Sequence, residues 1–452
     1  MKSILKALSA VALSGAMVLP VLADDTTTTS TNDGTDAKDL KKVVEDQGIN
    51  YVETAQKGIT LSGYVDVSYT NQFAGRGAPF LQNTTASPGA PSSALLRQFD
   101  NQADGFNVQA VKIALEKALP DKNEWAAGFR VDMIYGEDAK FLGDSALGGS
   151  TSTGGTSTST TYPVALEQAL VKFRIPVGNG LDIYAGKFVT FLGYEVIESP
   201  ANPNFSRGLL FTNAIPLTHT GVYADYKFND TFEGKLGVVD GWNNSTSSNV
   251  GSDNTFGGKA ITGQLNINAP GKNANITQSF IYSPQGDTAA ANPTSGPGAG
   301  SPTFPAGSTF ASGDNPVFVY DIWGNWTPTF DKSGNTTLGF NLDYGYDSFS
   351  WYGAALYAQY KLTKVVTLSG RAEYLHSDAN AGKFGEGGTF TAGNQFMPGS
   401  QDDYSYTLTA SFAIWDNLLT RAEYRIDDLC ANTTGTTTSI QNEVSLEAVY
   451  SF

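Results

Sequence analysis

Residues 418–427 read LLTRAEYRID. Arg421, Glu423, Arg425 and Asp427 fall in one phase, and Leu418, Thr420, Ala422, Tyr424 and Ile426 in the other. A period of two is the period of a strand, whose successive side chains leave opposite faces of a sheet. One face of this strand is built for water and the other for an apolar medium. The split recurs in 366–374, VTLSGRAEY, where Val366, Leu368, Gly370, Ala372 and Tyr374 oppose Thr367, Ser369, Arg371 and Glu373. It recurs again in 351–362, WYGAALYAQYKL, whose apolar face is Tyr352, Ala354, Leu356, Ala358, Tyr360 and Leu362.

Alternation of this kind holds from Gly58 to the last residue and resolves into sixteen segments: 58–73, 105–117, 124–137, 164–176, 181–192, 218–229, 231–241, 259–269, 273–284, 316–327, 335–346, 351–362, 365–377, 403–415, 418–428 and 442–452. After the first segment the connectors alternate. Long Gly/Ser/Thr/Pro/Asn-rich ones (74–104, 138–163, 193–217, 242–258, 285–315, 378–402, 429–441, with a short one at 347–350) take turns with tight ones such as VGNG, ND and WDN. Strands of about ten residues joined by short turns on one rim and long loops on the other are the pattern of a transmembrane β-barrel. The expected fold is all-β: a closed antiparallel barrel of about 16 strands, with short periplasmic turns and long extracellular loops. The last ten residues, EVSLEAVYSF, make its closing strand, with Val444, Leu446, Ala448, Tyr450 and Phe452 toward lipid. Pairing that strand with the first leaves no unsatisfied edge in hydrocarbon.

Composition agrees. Glycine (49) and Phe plus Tyr (26 and 21) are abundant and charged residues make up only 16%, which favours strands punctuated by turns. Residues 1–23 read as a secretory signal, with Lys2 and Lys6 ahead of an apolar stretch and cleavage expected between Ala23 and Asp24. Without those two lysines, 26 basic residues face 44 acidic ones, a net charge of −18. That balance excludes nucleic acid as a partner and adhesion to an anionic membrane surface. Cys430 is the only cysteine, so no intrachain disulfide staples the fold. After the signal no apolar run approaches the ~20 residues of a spanning helix. Residues 24–57 form a polar tail with a short amphipathic helix expected from Asp36 to Gln47, periplasmic or lumenal, and 58–452 form the barrel.

A charge facing lipid at mid-membrane costs about 2–4 kcal/mol for Arg or Lys, so the ionic ladders must face the interior. The expected lining is Lys112, Arg130, Asp132, Lys172, Arg174, Asp225, Lys227, Asp343, Arg371, Glu373, Arg421, Glu423 and Arg425; Glu116, Glu233, Lys235 and Asp321 share their phase. Lys187 falls out of phase, which suggests a bulge near Gly186. Sixteen strands enclose an aqueous channel. The expected function is passive diffusion of small hydrophilic solutes and ions across a bilayer. The alternatives are a closed structural or adhesin barrel, and a sugar-selective channel with Trp323, Trp351 and Tyr357 along the lumen. Catalysis is not expected: His219 and His376 are the only histidines, and no glycine-framed nucleophile accompanies them. No cofactor or metal is expected either, since two histidines and one cysteine form no ligand set, and Asp402-Asp403 and Asp427-Asp428 read as solvated loop acids.

The third long connector, from Gly193, reads GYEVIESPANPNFSRGLLFTNAIPLTHTG. It is rich in Pro, Leu, Phe and Ile, and such a loop buries itself most readily against the inner wall of the barrel. Together with GITLSGYVDVSYTNQF (58–73), GKFVTFLGYEVIESPANPNFSRGLLF (186–211), IPLTHTGVYADYKFND (215–230) and LGVVDGWNN (236–244), it resembles the OmpL-like family of β-barrel porins over Gly58 to Phe452. The resemblance implies a channel of the bacterial outer membrane in Gram-negative cells. It also implies a pore narrowed by the third loop, with Glu195, Glu198 and Arg207 as constriction residues. A terminal Phe452 resembles the signal read by the outer-membrane barrel assembly machinery, and trimers are usual among sixteen-stranded porins.

Overall fold

The structure is a computed structural model that describes residues 58–74, 99, 105–142, 164–241, 259–284, 316–347, 349–377, 401–431 and 437–452. The expected cleavage site at Ala23 and Asp24, the tail 24–57 and most of the long connectors lie outside the described residues. Sixteen strands follow in chain order: β1 (Ile59–Ala74), β2 (Gly105–Lys117), β3 (Ala126–Tyr135), β4 (Val164–Ile175), β5 (Leu181–Val189), β6 (Thr218–Lys227), β7 (Phe232–Val239), β8 (Ala260–Asn268), β9 (Ala274–Ser283), β10 (Val317–Trp326), β11 (Thr336–Asp347), β12 (Phe349–Lys361), β13 (Val366–Ser377), β14 (Gln401–Trp415), β15 (Leu418–Ala431) and β16 (Thr437–Ser451). Each pairs antiparallel with its neighbours in sequence, and β1 pairs with β16 from Tyr64↔Ser451 to Ala74↔Gln441. The sheet is a closed barrel. Phe452 finishes the seam: its N–H donates to Gly63 O at 2.9 Å and its carbonyl accepts from Gly63 N at 3.0 Å. Among the described residues no helix is long and apolar enough to cross a membrane; the strands do so.

The faces sort as the alternation requires. Leu408 (68% exposed), Leu356 (64%) and Leu446 (51%) point outward, while Arg371, Glu373, Glu443, Ser445 and Glu447 point inward and are buried. His376, in the outward phase, stacks on Tyr352 with centroids 4.7 Å apart and shares Asp402 with Tyr374, at 2.8 and 2.7 Å. The connector between β11 and β12 is tighter than the sequence suggests, since Asp347 pairs directly with Phe349.

Two irregularities add residues to the inner wall. Val67 pairs with Val108 after Asp66 pairs with Ala110, so Gln109 is an extra residue in β2. Met133 pairs with Leu166 after Asp132 pairs with Gln168, so Glu167 is extra in β4. Both extra residues are buried. The register around Gly186 corrects the expectation of a bulge there: Ala169 to Ile175 pair with Lys187 to Leu181 without a shift. A φ of +137° at Gly186, open to glycine but not to a side chain, precedes Lys187, which is buried and reaches the Leu142 carbonyl at 3.5 Å.

Candidate functional site in the barrel lumen

The connector between β5 and β6, residues 190–217, does not leave the barrel. None of its residues is exposed, because Phe191, Leu192, Ile197, Phe205, Leu209, Leu210, Phe211, Ile215 and Leu217 bury their side chains inside the cylinder. An apolar loop folded inward removes that surface from water at roughly 25 cal/mol per Å². Its polar backbone must then be satisfied by the wall. The inward turn starts at Gly193, whose φ of +97° suits glycine. Gly193 N donates to Asp321 at 3.0 Å, and Tyr194 N to Asn341 at 2.9 Å.

From there the loop is held mainly by the ladders of β13 and β15. Arg371 donates to Glu195 Oε1 and to the Ser206 carbonyl, both at 2.6 Å, and pairs with Glu373 at 2.9 Å. Glu195 Oε2 accepts Gly208 N at 2.6 Å, just ahead of the short helix α1 (Leu209–Asn213). Arg421 donates to the carbonyls of Ser199 (3.1 Å), Asn202 (2.9 Å) and Asn204 (3.2 Å) and pairs with Glu447 at 3.2 Å. Glu423 accepts Phe205 N at 2.7 Å and Ser206 N at 3.0 Å, and Arg425 donates to the Arg207 carbonyl at 2.8 Å. Trp351 Nε1 donates to Ala214 O at 3.1 Å. The charged rungs thus point into the cylinder, and what they meet there is loop backbone rather than open water.

The two remaining loop candidates serve as clamps. Glu198 bonds Lys112 of β2, whose ammonium also pairs with Glu167 (2.7 Å) and Asp132 (3.2 Å). Carboxylate oxygens of Asp132, Glu167 and Glu198 lie within 4.8 Å of one another, and the cation they surround is that lysine. Arg207 pairs at 2.9 Å with Asp138 of a 3-10 turn (Asp138–Phe141), and its guanidinium lies 4.9 Å from the ring centroid of Phe99. Burial pushes the Asp138 carboxyl up to about 7, although Arg207 pulls it down. The extra residue Gln109 donates to Asp138 at 2.5 Å. Both bulges therefore aim a polar side chain at a residue that holds the loop, Gln109 at Asp138 and Glu167 at Lys112, a known use of bulges near functional sites.

The facing wall is organised differently. On β2 to β4, Glu116 bonds Lys172 and lies 3.3 Å from Arg130, which also pairs with Asp132 at 2.8 Å. Arg174 pairs with Asp182 at 2.6 Å near the turn rim. Asp225 and Lys235 are direct partners across β6 and β7. Tyr184 and Tyr223 stack at 4.5 Å. Lys227 stands at the rim rather than inside, half-exposed and 2.9 Å from Asp230. Asp343 is buried beside Asn341 at 3.3 Å. The lumenal aromatics do not form a free track: Tyr357 stacks on Tyr194 of the loop at 4.0 Å, Trp323 meets Tyr194 edge-on at 5.9 Å, and Trp351 is buried beneath α1's end.

Sequence reasoning missed Gln109, Asp138 and Glu167. Gln109 and Glu167 are placed by bulges, and Asp138 sits in a short 3-10 turn beyond β3, where the period-two signal has ended.

The sequence profile of the family described as "Putative beta-barrel porin-2, OmpL-like" matches residues 58–452. No curated protein is similar to the chain in sequence. Solved structures with the same fold include the outer membrane channel DcaP of Acinetobacter baumannii, at 11% identity over 89% of this chain and 99% of that one, with a TM-score of 0.54. OprB of Pseudomonas putida is similar at 13% identity over 92% and 97%, with a TM-score of 0.52. OmpF of Salmonella typhi is similar at 12% identity over 87% and 97%, with a TM-score of 0.52. A closed sixteen-stranded barrel, an inward third loop and a family match over all of the barrel lead to one assignment: the chain belongs to the OmpL-like β-barrel porins, channels of the bacterial outer membrane.

Proposed function

We propose that small hydrophilic solutes and ions cross by passive diffusion through the gap between loop 190–217 and the wall formed by β3 to β7. One contrast carries this reading. Behind the loop, the side chains of Arg371, Glu373, Arg421 and Arg425 are 0–2% exposed. On the opposite wall Arg130 and Lys172 keep 11% and Arg174 16%, and Glu116 of the adjoining β2 keeps 28%. Charged groups paired side by side along a wall, with water on their free side, offer a polar path without a tight binding site.

Glu198, clamped to Lys112, and Arg207, clamped to Asp138, act as constriction residues by fixing the loop's reach. No catalytic step enters: His219 is buried with Thr190 at 3.0 Å, and His376 lies on the outer face. Cations are favoured mildly, because the chain's excess acid raises cation concentration near the mouths. Residues 1–23 serve as the export signal, Phe452 is read by the barrel assembly machinery, and the channel works as a homotrimer. Single-channel recording in planar bilayers tests the reading. Ohmic steps with a cation-selective reversal potential are expected. Silence supports a closed barrel plugged by residues 24–57, and chloride selectivity overturns the ion preference.

A further inference from the structure

Asp321 and Asp343 are direct partners across β10 and β11. Both face the lumen, at 0% and 4% exposure. Like charges directly opposite each other in a sheet repel. The amide of Asn341 bridges them, donating to Asp321 Oδ2 at 2.7 Å and to Asp343 Oδ2 at 3.3 Å, while its oxygen accepts Tyr194 N at 2.9 Å. Gly193 N donates to Asp321 Oδ1 at 3.0 Å, and Asp343 Oδ1 has no hydrogen-bond partner.

Among the described residues, none that faces the pair supplies a counter-charge. Opposite Asp321 on β9 is Ser279, whose hydroxyl donates to the Phe191 carbonyl at 2.9 Å, and opposite Asp343 on β12 is Gly353. The loop contributes Tyr194 and Glu195, β12 contributes Tyr357, and β13 contributes Glu373, a further acid whose charge reaches Asp343. Arg371, the lumenal cation of β13, is held by Glu195 at 2.6 Å and Glu373 at 2.9 Å. Two buried carboxylates this close cannot both ionise without a cation. One proton between them removes a charge and makes one oxygen a donor to the other.

We propose that Asp321 and Asp343 share a single proton and that this proton seats the first turn of the third loop, making both aspartates positioning residues for the channel. When the proton leaves, repulsion spreads the pair, the Asn341 bridge breaks, and Gly193 and Tyr194 lift off β10 and β11 into the gap. The shared proton stands on geometry alone; its effect on current rests on the passage proposed above, so each has its own readout.

The proton is tested by infrared spectroscopy of the full-length protein in detergent at neutral pH. A protonated-carboxyl stretch present in the wild type and lost in both Asp343→Asn and Asp321→Asn is expected. A spectrum unchanged by either isosteric variant overturns the shared proton, whether or not the barrel conducts. The seat is tested by single-channel current against pH. The wild type should lose current and gain closures as pH rises above neutral, while Asp343→Asn, which keeps a donor in place, stays flat. A wild-type response that persists in Asp343→Asn, or a flat wild type, overturns the seating role.

Discussion

Arg371 Nη1 lies 2.6 Å from Glu195 Oε1, joining β13 to a loop that starts eight strands away along the wall, with both side chains at most 1% exposed. A buried pair of this kind stabilises less by its attraction than it destabilises when one partner is removed, because the survivor is left charged and unpaired. Glu195→Ala should cost about 3–5 kcal/mol on that ground and Glu195→Gln, which keeps an acceptor, clearly less. Heat-modifiability of the detergent-solubilised barrel checks both. Equal losses in the two variants would count against the ion pair as the anchor.

Arg421 satisfies three loop carbonyls, those of Ser199, Asn202 and Asn204. Arg421→Met strips the Asn202 and Asn204 carbonyls of their donor and leaves Ser199 only the Asn202 N–H at 3.0 Å, at about 1–3 kcal/mol for each buried group left unsatisfied. The loop should then detach while the barrel persists. Arg207 is the only basic residue between Thr190 and Leu217, so trypsin should cut after it in the variant and not in the wild type. An uncut variant would show that Arg421 is dispensable.

Asp138 makes stability depend on pH. Its carboxyl sits at about 7 in the folded chain, raised from 3.8 by burial and opposed by Arg207. A carboxyl raised on folding binds its proton more tightly in the folded state. Its contribution is therefore complete below about pH 4 and is lost as pH climbs through about 7. At about 1.4 kcal/mol per pKa unit the swing is at most about 4 kcal/mol. Unfolding temperature in detergent should fall between pH 4 and pH 8, and Asp138→Asn should flatten that fall. A steeper fall in the variant contradicts the assignment.

Leu356 stands on the lipid face of β12 and its neighbour Tyr357 on the lumenal face. Leu356→Arg should destabilise the barrel by about 2–4 kcal/mol, lowering the yield of folded, heat-modifiable protein in membranes. A variant that assembles like the wild type would place that face away from hydrocarbon.

The strands were legible because each must satisfy two solvents at once, which writes a period of two into residues such as Arg421, Glu423 and Arg425 against Ala422 and Tyr424. Closure was legible for the same reason: the phase of Val444 to Phe452 continues the outer face to the seam. The inward fold of the third loop followed from its apolar content, Leu209, Leu210, Phe211 and Ile215 above all. Its seating did not. Arg421 and Arg425 grip main-chain carbonyls, which every residue carries and no sequence pattern marks. Gln109 and Glu167 reach the lumen through bulges that reverse the alternation part-way along β2 and β4, and among small and apolar residues such a reversal reads as an irregular strand rather than as an inward polar side chain. The Asp321 and Asp343 pair depends on register, which is fixed by the whole hairpin.

The most direct measurement asks which side of the loop carries the current. In a Cys430→Ser background, a charged methanethiosulfonate is added during single-channel recording to Lys172→Cys, on the open wall, or to Thr407→Cys, buried behind the loop beside Arg371 at 3.1 Å. Expected are ohmic steps that shrink on modification at 172 and do not change at 407. Steps blocked at 407 and untouched at 172, or no steps at all, would contradict a passage between the third loop and the β3 to β7 wall.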